Sequence, residues 1–250
     1  MDAIDQKISE LARGSLPKWP QMLVTGKDVN QEQAFEIIFK TDGFLTDASE
    51  FAGGNEREFT KQYQEDSNLT ALHVTRKYPE GHEYTGVDWA KQNVLYAHLG
   101  VLSTNYVRND WASSCFIFGP HGWCSPTGKI YFVDNVGKWP SIREVYDDWA
   151  MIAQAFPFVE ANVTLMSGES TEDESSPVIN FKVANGIVEV CAPDESVHNA
   201  VPRSVEDIGY YRRNGELGLP AHWYKQAASR VATAIEFLNA TGAFEEEDNE

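Results

Sequence analysis

The chain has little cysteine, no long apolar run and a shortage of positive charge, and each absence closes off a class of protein. The three cysteines, Cys115, Cys124 and Cys191, are too few and odd in number for a disulfide scaffold, and they fit a reducing cytoplasm. No Cys-x-x-Cys pair occurs, so the short, regular ligand spacing of structural zinc is missing. A zinc set would have to be drawn from Cys115, His121 and Cys124 with Cys191 or His198, and no metal is expected. No stretch approaches the ~18 consecutive apolar residues that read as a membrane span. The opening residues Met1 to Asp5 show neither the basic region nor the apolar run of a signal peptide, so a cytoplasmic protein without membrane contact is expected. Asn68, Asn162 and Asn239 each begin an Asn-x-Thr sequence, which carries no meaning without secretion.

Lys and Arg number only 20 against 38 Asp and Glu, leaving a formal net charge of −18 and a pI near 4.7. Such a surface repels phosphate backbones and anionic membranes, which excludes direct nucleic-acid binding as the expected role. Familiar catalytic and cofactor signatures are missing too: no Gly-x-Gly-x-x-Gly, Gly-x-Ser-x-Gly, His-Glu-x-x-His or calcium-loop pattern occurs. The nearest approach to a phosphate loop, Gly122 to Lys129, has five residues between its glycines, Ile130 after the lysine, and a strand rather than a helix to follow. No cofactor is expected.

What is present is enough apolar material for a core: 42% hydrophobic and 12% aromatic residues, including seven Trp, argue against disorder over most of the length. No long linker divides the chain, so residues 1–244 are read as a single α+β domain, followed by a disordered acidic tail at 245–250. Acid is unevenly spread: residues 1–159 hold 21 acids and 14 bases, residues 160–250 hold 17 and 6.

The first third reads as mainly helical. Helical spacing at Ile4, Ile8 and Leu11 runs to Gly14, and Lys18-Trp19-Pro20 forms an extended link. Asn30 to Gln33 resembles a capping box for a helix carrying Ala34, Ile37 and Ile38. Leu72 to Thr75 suggests a short strand, and Asp88 a cap for a helix bearing Ala90, Val94, Ala97 and Val101. His98, on that helix, is read as a hydrogen-bonded core residue.

The middle of the chain changes character. Ala112 to Phe118 and Lys129 to Val136 read as two antiparallel strands around a Gly- and Pro-rich loop. Ser141 to Glu144 is a capping box, and Ile142, Val145, Tyr146, Trp149, Ile152, Ala153 and Phe156 form one stripe, which leaves Asp147 and Asp148 on the solvent side. Strands follow at 162–166, 178–183 and 187–191, the last two joined by an Asn185-Gly186 type I′ turn. A final helix from about Pro220 carries Ala227, Val231, Ala234 and Leu238 and stops at Gly242. Strand follows strand without regular βαβ alternation, so the expected fold is α+β, with an antiparallel sheet of about five strands packed with amphipathic helices.

Two sites compete. The acidic segment with Glu169, Glu172, Asp173 and Glu174, with Trp123 as an aromatic contact, suits a soluble binding or inhibitory protein that engages a basic protein partner, including one that normally binds nucleic acid. The alternative is a hydrolase or transferase of small molecules at the loop after Phe118, with His121 as base, Cys124 as nucleophile and Asp134 as a supporting carboxylate from the returning strand. Arg212-Arg213 beside Tyr210-Tyr211 reads as salt-bridged surface.

Overall fold

A computed structural model describes residues 2–41, 75–76, 86–87, 89–102, 124–125, 127–135, 140–168, 175–194, 197 and 220–244. The protein is a mixed α+β chain with an antiparallel sheet, and it divides into two compact units. One unit comprises Met1–Ile37 and Ser103–Tyr210, the other Ile38–Leu102 and Tyr211–Glu250.

The first unit begins with helix α1 (Ala3–Leu11), started by a capping box in which the Asp2 carboxylate accepts from the amides of Ile4 and Asp5. The helix stops at Ala12, short of Gly14. Strand β1 (Gln21–Gly26) follows, where the sequence suggested only an extended link into helices. Gln21 to Val24 are buried without alternation, so both faces of β1 are covered here and the period-two signature of a half-exposed strand is absent. Helix α2 (Gln31–Lys40) has its expected start: the Asn30 side chain accepts from the Gln33 amide at 2.8 Å, and the Gln33 side chain accepts in return from the Asn30 amide at 3.1 Å.

The sheet is completed by β4 (Tyr131–Asn135), β5 (Ala161–Met166), β6 (Pro177–Ala184) and β7 (Ile187–Cys191), in the order β4-β1-β5-β6-β7 with each junction antiparallel. The described neighbour of β4 is therefore β1, while the expected strand at 112–118 lies outside the described residues. At the β6–β7 hairpin Asn185 and Gly186 both take positive φ, 53° and 76°, as a type I′ turn requires.

Register sorts the side chains onto two faces. Met22, Val24, Val163, Leu165, Ile179, Phe181, Val183, Val188 and Val190 share one face and are buried. Helix α4 (Ile142–Ala155) packs on that side, against β6 and β7, with Tyr146 edge-on to Phe181 at 5.8 Å. Its capping box is present, Ser141 accepting from the Glu144 amide and Glu144 from the Ser141 amide. On the opposite face the row Asn162, Lys182, Glu189 is exposed, and Thr164 donates to Asn180 at 3.1 Å. Helix α1 lies against β7 and α4.

The second unit contains the short ladder of β2 (Thr75–Arg76) and β3 (Gly86–Val87), helix α3 (Trp89–Leu99) and helix α5 (Ala221–Ala240), with α3 packed on α5. In α5 the expected positions Ala227, Val231, Ala234 and Leu238 are buried, and Gly242, at φ 71°, lies just past its end. Among the described side chains of α3, Leu95 and Tyr96 are buried whereas Val94 is 38% exposed, so these residues turn away from the face that the sequence pattern suggested. His98 is accordingly an exposed residue rather than a core one, stacked on Phe237 at 5.0 Å. Among the described residues no helix is long and apolar enough to cross a membrane.

Candidate functional site

The loop region singled out for catalysis is described from Cys124 onward; His121 and Trp123 lie outside the described residues. Cys124 bridges to Ile130, and the chain reverses between them within a few residues. The Ser125 amide donates to the Lys129 carbonyl at 2.9 Å, and the Ser125 hydroxyl accepts from the Lys129 amide at 3.1 Å. Gly128, at φ 85°, closes the reversal, and its carbonyl accepts from the Val29 amide at 2.8 Å. A Cβ at this position would collide with the Val29 carbonyl, so both the left-handed backbone and the close approach demand glycine.

This arrangement does not favour a thiolate. Cys124 is 3% exposed, and burial, reinforced by the negative charge of Asp28, pushes its thiol up to about 12. A thiol so shifted stays protonated at neutral pH and behaves as a small apolar side chain. Asp134 lies in β4, opposite Met22. It is four residues along the strand direction from Ile130, the partner of Cys124, a separation of about 13 Å at the usual strand rise. The register therefore does not set Cys124 and Asp134 side by side.

The acidic segment is built differently. Glu169, Glu172, Asp173 and Glu174 lie outside the described residues, but both ends of their loop are fixed. The Ser167 amide donates to the Ser176 carbonyl at 2.9 Å and the Ser176 amide to the Ser167 hydroxyl at 3.0 Å, while the Gly168 carbonyl accepts from the Gln21 amide at 3.0 Å. Gly168 meets Ser175 so closely that a Cβ there would touch the serine Cβ. The segment thus springs from a hydrogen-bonded root at one end of the sheet.

A second concentration of carboxylates surrounds α4. The Arg143 guanidinium donates to Asp2 at 2.7 Å, Asp5 at 3.1 Å and Asp147 at 2.9 Å, tying α1 to α4. The Asp5 amide and then Arg143 hold the Asp2 carboxyl below its ordinary value, and the three acids raise that of Arg143. The neighbouring Asp148 is the unexpected group. Its acidic residue type put it in solvent with Asp147 in the sequence reading, yet it is 1% exposed, and neither of its carboxylate oxygens has a hydrogen-bond partner. Burial, and then the charges of Asp147 and Glu144, push its carboxyl up to about 7. A signal was available: position 148 falls three residues after Val145 and four before Ile152, inside the buried stripe.

Among the described residues no group of three or more His, Cys, Asp or Glu is arranged to hold a metal ion. The chain matches no protein-family model, and comparison with curated proteins and with solved structures finds no match either.

Proposed function

We propose that this is a cytoplasmic docking protein, binding or inhibitory in action, whose carboxylates engage the basic surface of a protein partner such as one that otherwise holds nucleic acid. The observation that carries this reading is the root of the acidic segment: Glu169, Glu172, Asp173 and Glu174 lie between Gly168, whose carbonyl accepts from Gln21 of β1, and Ser176, which is hydrogen-bonded to Ser167. A pinned base reduces the chain entropy lost when such a loop is ordered on a partner. The surrounding charge adds to it, because a net −18 chain attracts cationic surfaces over long range and repels competing anions. Two of the bases near the sheet are already engaged, Arg143 with three acids and Lys27 with Glu160 at 3.1 Å.

The alternative reading, a small-molecule hydrolase or transferase using His121, Cys124 and Asp134, finds less support because a buried, protonated Cys124 is a poor nucleophile. The test is capture from a cytoplasmic extract at low and high salt, using the wild type and a variant with Glu169→Gln, Glu172→Gln, Asp173→Asn and Glu174→Gln. The reading expects a stoichiometric basic protein retained at low salt, released at high salt and weakened by the fourfold change. A partner captured equally by both proteins and indifferent to salt would refute it.

A further inference from the structure

Asp148 occupies an unusual place even for a buried acid. It lies on the packed stripe of α4 between Val145, Trp149 and Ile152, all fully buried, and no donor reaches either oxygen. On the side of the sheet that α4 covers, β6 contributes Ile179, Phe181 and Val183 and β7 contributes Val188 and Val190, none of them titratable. The charged residues of these strands, Lys182 and Glu189, lie on the opposite face. From α1 and its cap come Asp2 and Asp5, both held by Arg143, Lys7, which reaches Glu189 at 4.0 Å, and Glu10, which accepts from the Gln6 side chain at 2.8 Å. On α4 itself Glu144 is engaged with Ser141 in the cap, and Asp147 with Arg143. Among the described residues, then, no cation is positioned to compensate an anion at 148, and its nearest charges are of its own sign.

An ionised carboxylate in such a place must recruit water, and the element that has to yield is the helix that carries it. We propose that Asp148 makes α4 a pH-responsive element, packed on the sheet while its carboxyl is protonated and driven toward a lifted, hydrated state when the proton is lost to solvent. The direction follows from linkage. The carboxyl holds its proton more tightly when packed than when wet, so each rise in pH through the interval between the two affinities favours the lifted state. That interval runs from the ordinary value of 3.8 up to about 7. Within it the lifting equilibrium rises by about tenfold per pH unit, and above it the dependence levels off.

The experiment is hydrogen exchange of the α4 amides from Val145 to Ala155 across this range, corrected for the intrinsic pH dependence of exchange, with the β5 amides as an internal reference. The expected result is protection of α4 that falls by about tenfold per pH unit toward neutrality and then plateaus, β5 changing less, with the slope abolished in Asp148→Asn. A flat profile in the wild type, an equal change in β5, or the same slope in Asp148→Asn would overturn the proposal. Should the variant not fold, NMR of the Asp148 carboxyl carbon in the wild type decides: a midpoint that coincides with the plateau of α4 exchange supports the proposal, and one near 3.8, or apart from that plateau, refutes it.

Discussion

At the scale of the residue, a few side chains carry most of what is unusual here. The raised pKa of Asp148 means that the folded chain binds a proton the unfolded chain releases. Its stabilising effect is complete below about pH 4, declines as the pH rises, and is lost at about 7, a difference on the order of 4 kcal/mol across the interval. Urea unfolding is therefore expected to show wild-type stability falling between pH 5 and 7, with a shallower fall in Asp148→Asn. Gly128→Ala faces both a left-handed backbone and the Val29 carbonyl, so it should destabilise by more than the ~1–2 kcal/mol of the conformational penalty alone, read as a lower denaturation midpoint. Alkylation followed by peptide mapping should leave Cys124 unmodified in the folded protein at neutral pH and modify it after denaturation; rapid reaction in the native state would return it to the list of nucleophiles. Sequence patterning assigned Asp148 to solvent because its residue type, and not its position on the helix, decided the reading.

At the scale of the element, legibility followed the strength of local signals. Helix α4 was readable because its capping box and apolar stripe agree, and the β6–β7 hairpin because Asn185-Gly186 suits only a few turns. Ser141→Ala should lower stability by about 1 kcal/mol through loss of the bond to the Glu144 amide, measured by chemical denaturation. Strand β1 was illegible for the opposite reason. It is short, lacks alternation, and exists because β4 and β5 pair with it, which no local window contains. The face of α3 was misjudged on the same account, since Val94 is as apolar as Leu95 and only packing against α5 selects between them. The candidate site was half legible: composition located the acidic segment, but nothing in the spacing of Ser167, Ser176 and Gln21 announced the hydrogen bonds at its root.

At the scale of the whole molecule, charge is the dominant property. With 38 acids against 20 bases, the long-range field of the chain is negative, and salt sets how far it reaches. Arg143 is drawn into three local pairs and Lys27 into one, which on the proposed reading leaves a cationic partner less competition for the carboxylates. The measurement that bears most directly on this account is the affinity of the purified partner as a function of salt, for the wild type and for the variant neutralised at Glu169, Glu172, Asp173 and Glu174. The account predicts an affinity that falls steadily with salt in the wild type and a distinctly weaker dependence in the variant. An affinity independent of salt, or an identical dependence in both proteins, would contradict it.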